Sequence, residues 1–257
     1  MITIKNLHKK FKKLHALNDV SASFSRGQVV SLIGPNGSGK TTLIKSILGI
    51  VKPDAGSILF AGKSIDKQVA YRDNIGYMPQ IGRYPDNMKI GQVIEMVKNI
   101  RNHKDGTLDD ELFFDFKMDE MQDKNMRSLS GGTRQKVSAV LAFLFNPDVL
   151  ILDEPTAGLD PLASEILKDK IIKEKKKGKL ILITSHVLSD LDELTTDVMY
   201  LQDGKLHLYQ TVENIKQQTG ETRLEKAIAQ VMKRYLKDGT ATIPMTENRE
   251  ADYAKAI

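Results

Sequence analysis

Residues 34–41 read GPNGSGKT and fit the spacing G-x-x-x-x-G-K-[ST] without a mismatch. The glycines of such a loop let several backbone N–H groups point at one phosphate, and the helix that follows adds the positive end of its dipole. Lys40 would contact the β- and γ-phosphates, Thr41 would bind Mg²⁺, and Thr42 would add a phosphate contact. We therefore predict an ATP and Mg²⁺ site at Gly34, Pro35, Asn36, Gly37, Ser38, Gly39, Lys40, Thr41 and Thr42.

Two adjacent carboxylates follow an aliphatic run at residues 149–152 that is typical of a buried strand. In an open parallel sheet, ligands bind outside the carboxyl ends of the strands. Because neighbouring side chains of a strand alternate in direction, Asp153 can bind Mg²⁺ while Glu154 orients and deprotonates an attacking water. By itself the pair could equally begin a turn at Pro155, so the phosphate loop is what favours catalysis.

Residues 129–136, LSGGTRQK, precede a helical pattern rich in small and apolar residues. A Ser-Gly-Gly opening of this kind is a second possible anion site at a helix N-terminus. One nucleotide does not readily need two phosphate cradles, so the segment calls for a separate explanation.

With this segment the sequence closely resembles the nucleotide-binding subunits of ATP-binding-cassette (ABC) transporters. Their signature LSGGQ matches at residues 129–132 and departs at Thr133, which leaves open the fine hydrogen bonding of the motif. The resemblance covers about residues 2–215, with the family's motifs in the family's order. It implies that two copies face head to tail, each ATP lying between one copy's phosphate loop and the other copy's Ser130, Gly131 and Gly132.

The resemblance also gives roles to four residues outside these motifs. Phe11 matches the aromatic residue that stacks on adenine, although a core phenylalanine is an alternative. Gln80 resembles the glutamine that contacts Mg²⁺ or water during catalysis. Asp160 resembles the residue by which each copy contacts the other across the nucleotide, and His186 resembles the histidine that contacts the γ-phosphate.

The remaining pattern predicts an α/β fold that positions these residues. It consists of a P-loop NTPase core, with a mostly parallel sheet and helices on both faces, an N-terminal antiparallel β-layer and an inserted α-helical subdomain. We predict an ATPase domain over residues 1–220, its helical subdomain at about 82–142, an amphipathic helix at 221–238 and a flexible tail at 239–257. Within the core we expect strands at 29–33, 149–152 and 180–184, and helices at 41–48, 161–173 and 187–194.

The composition of the chain excludes several kinds of site and several classes of protein. The chain of 257 residues contains no cysteine, which excludes disulfides and thiolate metal sites. No run of consecutive apolar residues approaches the length that a membrane-spanning helix needs. The net charge of +5 is interpreted as a solvated lysine-rich surface without a nucleic-acid partner, and the lysine run at 173–179 as a solvated helix end.

The resemblance implies an ATPase that drives a separate membrane permease, which would dock near residues 80–97. The chain would then be cytoplasmic, held at the inner face of the cell membrane by the permease. Its motifs are most similar to the subfamily serving type-2, export-type permeases, and also resemble the copper-processing ATPases of nitrous-oxide-reductase maturation. An iron-sulfur-cluster-assembly ATPase and an ATP-dependent regulator without turnover are the alternatives, and the sequence does not specify the transported substrate.

Overall fold

The computed structural model describes residues 1–101, 108–185 and 192–238, with the backbone alone for 234–238. Its strands are, in chain order, β1 (Ile2–Phe11), β2 (Leu14–Phe24), β3 (Val29–Ile33), β4 (Ala55–Phe60), β5 (Lys63–Ser64), β6 (Ile75–Met78), β7 (Val149–Asp153), β8 (Leu180–Thr184), β9 (Asp197–Gln202) and β10 (Lys205–Thr211). Its α-helices are α1 (Lys40–Ile47), α2 (Ile90–Ile100), α3 (Glu111–Asp115), α4 (Gly131–Phe143), α5 (Pro161–Lys176), α6 (Val212–Thr219) and α7 (Leu224–Asp238). Short 3₁₀ helices lie at Ala70–Asn74, Asp119–Met121 and Met126–Ser128.

The main sheet has six strands in the order β10-β9-β3-β8-β7-β6. All its neighbouring pairs are parallel except β9 with β10. Every residue of β3, β7 and β8 is buried, which explains their nearly continuous aliphatic sequences, since helices or a second sheet cover both faces of a parallel sheet. Their carboxyl ends therefore meet at one edge, where the phosphate loop and the carboxylates follow.

The second sheet is antiparallel, has the order β2-β1-β4-β5 and confirms the predicted N-terminal β-layer. Its inward residues, including Leu7, Val20 and Ile58, share one buried cluster with Val30 of β3 and Ile44 of α1. The layer and α1 thus cover the same face of the main sheet. This packing brings the β1–β2 end of the layer beside the phosphate loop.

Between β6 and β7 the chain forms α2, α3, two of the 3₁₀ helices and α4, which confirms the inserted helical subdomain. Val93 of α2, Leu112 of α3 and Val137 of α4 pack in one cluster with Leu150 of β7 and Leu167 of α5. The subdomain and α5 therefore share the opposite face of the main sheet.

No strand was predicted after residue 184, yet β9 and β10 form a hairpin there. Asp203 and Gly204 join them with φ values of 50° and 74°, the left-handed pair that a two-residue hairpin turn requires. The Asp-Gly pair is therefore a sequence signal for this hairpin. The strand before it lacks the alternation of polar and apolar residues that predicts a strand, because β9 is buried along nearly its whole length.

The predicted C-terminal helix is confirmed as α7, which begins at Leu224 and buries Leu224, Ile228 and Val231 against a cluster that includes β9 and β10. The helix predicted at 187–194 falls mostly outside the described residues, and 192–194 form a turn. The tail predicted at 239–257 also lies outside them. Within the described residues, no helix is both long and apolar enough to cross a membrane.

The lysine run at 173–179 is not simply a solvated helix end, and that prediction was wrong for Lys179. This residue is 7% exposed, and its Nζ donates to Asn146 Oδ1 at 2.5 Å and pairs with Glu174. Glu174 is fully buried, so its charge has to be balanced inside the protein. Lys177 pairs with the same carboxylate, with its Nζ 2.7 Å from Glu174 Oε1.

Candidate active site

The phosphate loop leaves β3 at Gly34 and enters α1 at Lys40. Two of its glycines have no room for a side chain. A Cβ on Gly34 would lie 2.0 Å from the carbonyl oxygen of Leu201, and one on Gly39 would lie 2.4 Å from that of Ala16. Both also have a positive φ, at 148° and 107°. The loop conformation thus depends on glycine at both positions.

Lys40 is 8% exposed, and its Nζ donates to the carbonyl oxygens of Gly34 at 2.7 Å and Pro35 at 3.0 Å. Burial lowers the pKa of the Lys40 ammonium, while the charges of Glu154 and Asp153 act in the opposite direction. The ammonium is therefore held by neutral carbonyls, with two carboxylates near enough to affect its pKa. An anionic ligand at the loop would add the compensating charge that the carbonyls do not provide.

One cavity of about 240 Å³ brings most of the predicted site residues together. It is lined by Phe11, Leu14, Ala16, Asn36, Gly37, Ser38, Gly39, Lys40, Thr41, Thr42, Gln80, Asp153 and Glu154. The loop, the carboxylate pair, the glutamine and the aromatic residue thus meet although they are far apart in the chain. Gly34 and Pro35 shape the loop and bind Lys40 without being among the lining residues.

Leu14 and Ala16 were not predicted as site residues, yet they line the cavity together with Phe11. Phe11 is 46% exposed, so it is not the core phenylalanine considered as an alternative. Its ring has Lys9 Nζ 5.3 Å from the centroid, and Lys9 is paired with Asp54 at 2.8 Å. This end of the cavity offers an apolar surface suited to a flat aromatic group.

The carboxylate pair ends β7. Asp153 is buried, while Glu154 is partly exposed and has a φ of 52°. The Glu154 N–H donates to both the carbonyl oxygen and the hydroxyl of Thr184, at 3.1 Å and 3.0 Å. Burial, followed by the charge of Asp153, raises the pKa of Tyr77 to about 12. That phenol is therefore neutral at physiological pH.

The cavity suits a nucleotide with Mg²⁺ in its donors and acceptors. Among the described residues, the Ser38 hydroxyl is buried without a hydrogen-bond partner, as expected of a group whose partner is a ligand. Thr41, Gln80 and Asp153 add hydroxyl, amide and carboxylate oxygens, the ligand types that Mg²⁺ prefers. The residues present thus fit the predicted group.

The Ser-Gly-Gly segment begins α4. Ser130 caps this helix, since its Oγ accepts from the Thr133 N–H at 3.2 Å and lies 2.9 Å from Thr133 Oγ1. Ser130 and Gly131 are exposed, and neither they nor Gly132 line the cavity. The predicted second anion site is therefore an ordered and accessible helix start, but it is separate from the chain's own phosphate loop.

Several contacts attach the start of α4 to the segment that follows Glu154. Gln135 Nε2 donates to the Glu154 carbonyl oxygen at 3.3 Å, and a Cβ on Gly132 would lie 2.6 Å from the carbonyl oxygen of Gly158. Lys136 Nζ lies 2.8 Å from Asp160 Oδ2. The start of α4 and the segment with Glu154 are thus packed as one unit.

Asp160 also caps α5, accepting from the Ala163 N–H at 2.9 Å. Hydrogen bonds from Lys136 and from that N–H lower the pKa of Asp160. Its side chain is therefore engaged within its own chain and does not line the cavity. His186, the remaining predicted residue, lies outside the described residues.

Comparison with known proteins agrees with this geometry. The family model "ABC transporter" matches residues 17–157, more than half of the chain. The chain is 32% identical over 219 residues to the ABC transporter ATP-binding protein YtrB of Bacillus subtilis, covering 85% of this chain and 74% of that protein. It is 30% identical over 220 residues to the lantibiotic transport ATP-binding protein SrtF of Streptococcus pyogenes, covering 84% and 95%.

Solved structures give the same result for the fold. An ATP-binding subunit of an ABC transporter superposes with a TM-score of 0.83 at 28% identity, covering 90% of this chain and 99% of that chain. A dimeric ATP-binding cassette in a post-hydrolysis state with ADP and Pi has a TM-score of 0.72 at 24% identity, covering 82% and 98%. Sequence, fold and cavity therefore lead to one conclusion: the chain belongs to the ABC transporter family, as an ATP-binding subunit.

Proposed function

We propose that two copies of this chain close head to tail around two Mg-ATP molecules and thereby drive a separate export permease. The observation that carries the proposal is the separation of the two anion sites. The phosphate loop lines the cavity, whereas Ser130, Gly131 and Gly132 do not. A second copy can supply the missing Ser-Gly-Gly segment, because this segment is exposed and already ordered as a helix start.

Under this proposal, several of the lining residues bind the nucleotide or take part in its hydrolysis. The loop N–H groups and Lys40 bind the phosphates, and the apolar end with Phe11 holds the base. Glu154 accepts a proton from the attacking water, while Gln80 helps to orient that water. When bound by Thr41, Asp153 and Gln80, Mg²⁺ would supply positive charge to the phosphates.

The contacts at the start of α4 link the two sites of such a dimer. The helix that would bind the partner's ATP is attached to the Glu154 carbonyl through Gln135 and to Asp160 through Lys136. When one copy's phosphate loop loses the γ-phosphate, the α4 helix of the other copy loses a contact. Through Gln135 and Lys136, this change would reach the segment that carries that other copy's Glu154. This is a population shift between closed and open dimers, driven by a ligand that binds the closed state better.

Export is the direction favoured by the relatives, since the Nod factor export ATP-binding protein I of Burkholderia lata is 30% identical over 208 residues. The chain would act at the inner face of the membrane, with the permease docked near residues 80–97. Similarity to copper-processing ATPases stays a prediction, because the substrate is selected by the permease.

Glu154→Gln tests the catalytic part and the assembly together. The variant should release phosphate at least ~100-fold more slowly, because the general base is lost while the shape of the side chain is kept. With ATP it should elute as a dimer of the 28.7 kDa chain, and with ADP as a monomer, by size exclusion with light scattering. Glu165→Gln, at an exposed pair with Lys168, is the matched control and should behave as wild type.

The outcomes separate the parts of the proposal. An unchanged rate of phosphate release in Glu154→Gln would remove Glu154 as the base. A variant that loses turnover, binds ATP and stays monomeric would instead refute the head-to-tail assembly. Co-purification with a membrane protein, rather than with a soluble partner, tests the permease.

A further inference from the structure

Thr184 is the last residue of β8 and was not singled out as a functional residue from the sequence. It is 1% exposed and stands opposite Asp153 in the parallel register of β7 and β8. Its hydroxyl donates to Asp153 Oδ1 at 2.5 Å and accepts from the Glu154 N–H at 3.0 Å. One buried hydroxyl therefore contacts both members of the carboxylate pair.

We propose that the Thr184 hydroxyl is a positioning group for hydrolysis, which fixes the Asp153 carboxylate and the Glu154 backbone relative to each other. The inference rests on the proposed roles of these two carboxylates. A hydroxyl has a single proton to donate, and here that proton is used on Asp153 Oδ1. Asp153 thus has one oxygen held from behind, which orients the carboxylate as a ligand.

The bond to Glu154 has a different consequence. Glu154 has a φ of 52°, a left-handed conformation that is unfavourable for a non-glycine residue and persists only when its surroundings impose it. Both acceptors of its N–H belong to Thr184, the hydroxyl at 3.0 Å and the carbonyl oxygen at 3.1 Å. The turn that aims the base is therefore held by a residue 30 positions away in the chain.

Thr184→Val tests the hydroxyl while keeping the shape of the side chain. Its Mg²⁺ readout is the affinity for a fluorescent ADP analogue, measured with and without Mg²⁺. We expect Mg²⁺ to strengthen binding about 10-fold less than in wild type, and kcat to fall about 10-fold to 100-fold, as for other partners of metal ligands. Affinity without Mg²⁺ should stay within about twofold, because the phosphate loop is untouched.

Two variants control this result. Thr184→Ser keeps the hydroxyl and should recover most of the Mg²⁺ effect and of kcat. Thr195→Val removes another buried hydroxyl, which is paired with Ser31 Oγ at 2.6 Å and does not line the cavity, and should match wild type. If Thr184→Val does not fold, Thr184→Ala is measured in the same way.

Asp153→Asn separates failure of the inference from failure of the proposed function. If Asp153→Asn abolishes the Mg²⁺ effect while the Thr184 variants retain it and retain kcat, the positioning role is refuted alone. If Asp153→Asn leaves the Mg²⁺ effect intact, the proposed metal site is wrong and the inference falls with it. Equal loss of nucleotide affinity with and without Mg²⁺ in the Thr184 variants would also overturn the inference, since it indicates general structural damage.

Discussion

Two buried lysines of this chain are compensated in opposite ways. Lys170 of α5 is 2% exposed, and its Nζ lies 2.5 Å from Asp109, 2.7 Å from Glu111 and 3.2 Å from Glu174. Burial acts against its charge, but the hydrogen bonds and charges of these carboxylates raise the pKa of Lys170 overall. Among the described residues, the bonded partners of Lys40 are two carbonyl oxygens, and burial lowers its pKa.

The difference distinguishes a structural charge from a functional one. The carboxylates around Lys170 come from the helical subdomain and from α5. Their charges are balanced by this lysine, and the ion pairs join α5 to the subdomain. The Lys40 ammonium keeps most of its attraction for an anion, at the edge of a cavity. The burial of a lysine therefore says little about function until its partners are known.

Lys40→Met should have the largest effect on activity. It removes the charge that is proposed to bind the phosphates, so ATPase activity should fall roughly 100-fold to 1,000-fold. The free energy of unfolding should change by less than about 1 kcal/mol, since no buried carboxylate is left without its bonded partner. Phosphate release and urea unfolding measure the two effects, and a large loss of stability would make Lys40 a structural residue like Lys170.

Lys170→Met should show the reverse. It leaves the three carboxylates without their shared cation, which should cost about 3 to 5 kcal/mol in the free energy of unfolding. ATP affinity of the folded variant should be unchanged, as measured by titration below the unfolding transition. Lys168→Met, at an exposed pair of the same helix, is the control and should cost less than about 1 kcal/mol. Equal costs at the two positions would contradict this account.

The buried carboxylate of Glu174, which pairs with Lys170, makes the free energy of unfolding depend on pH. Burial acts to raise its pKa, but hydrogen bonds from Lys177 and Lys179 and the charges of Lys179 and Lys170 lower the pKa of Glu174 from 4.5 to about 2. Because the folded value is depressed, the stabilisation is present above pH 4.5 and is lost as the pH falls from 4.5 towards 2.

Glu174→Gln cannot titrate, so its stability should decline less than that of wild type over this interval. The difference should be on the order of 2 kcal/mol. Urea unfolding between about pH 5 and pH 3 measures it, within the range where titration of this carboxyl alters the free energy. Parallel curves for the two proteins would show that Glu174 does not hold its charge in this way.

Thr133→Val should have the smallest effect and concerns the Ser-Gly-Gly segment at the start of α4. It removes the hydroxyl 2.9 Å from Ser130 Oγ but keeps the Thr133 N–H that donates to the same Ser130 oxygen. We expect the ATP concentration for half-maximal hydrolysis to rise about threefold, the worth of one hydrogen bond. Thr133→Ser should match wild type, and an unchanged Thr133→Val would mean that this hydroxyl does not orient Ser130.

Local patterns predicted the parts of the site that depend on local chemistry. The phosphate loop and the carboxylates after β7 could be predicted because glycine spacing and an aliphatic run are legible along the chain. The contact of Thr184 with Asp153 could not, since it requires β7 beside β8 in one particular register. The partners of Lys170 depend in the same way on how α5 packs against residues 109–111.

Under the proposed function, the cavity is half of an ATP site and a second copy supplies the rest. Two inactive variants test whether the site is shared: Lys40→Met, with a damaged phosphate loop, and Gly131→Asp, with a negative charge at the start of α4. A Cβ on Gly131 meets nothing within 4 Å, and an acidic residue at a helix N-terminus does not disfavour the helix, so the second variant should fold.

Mixing the two variants gives some dimers in which one site combines an intact loop with an intact Ser-Gly-Gly segment. Phosphate release by the mixture should therefore recover to about a quarter of the wild-type rate, if half of the dimers are mixed and each has one intact site. A mixture that stays as inactive as its two components, although native mass spectrometry shows that mixed dimers form, would contradict the claim that the site is shared between copies.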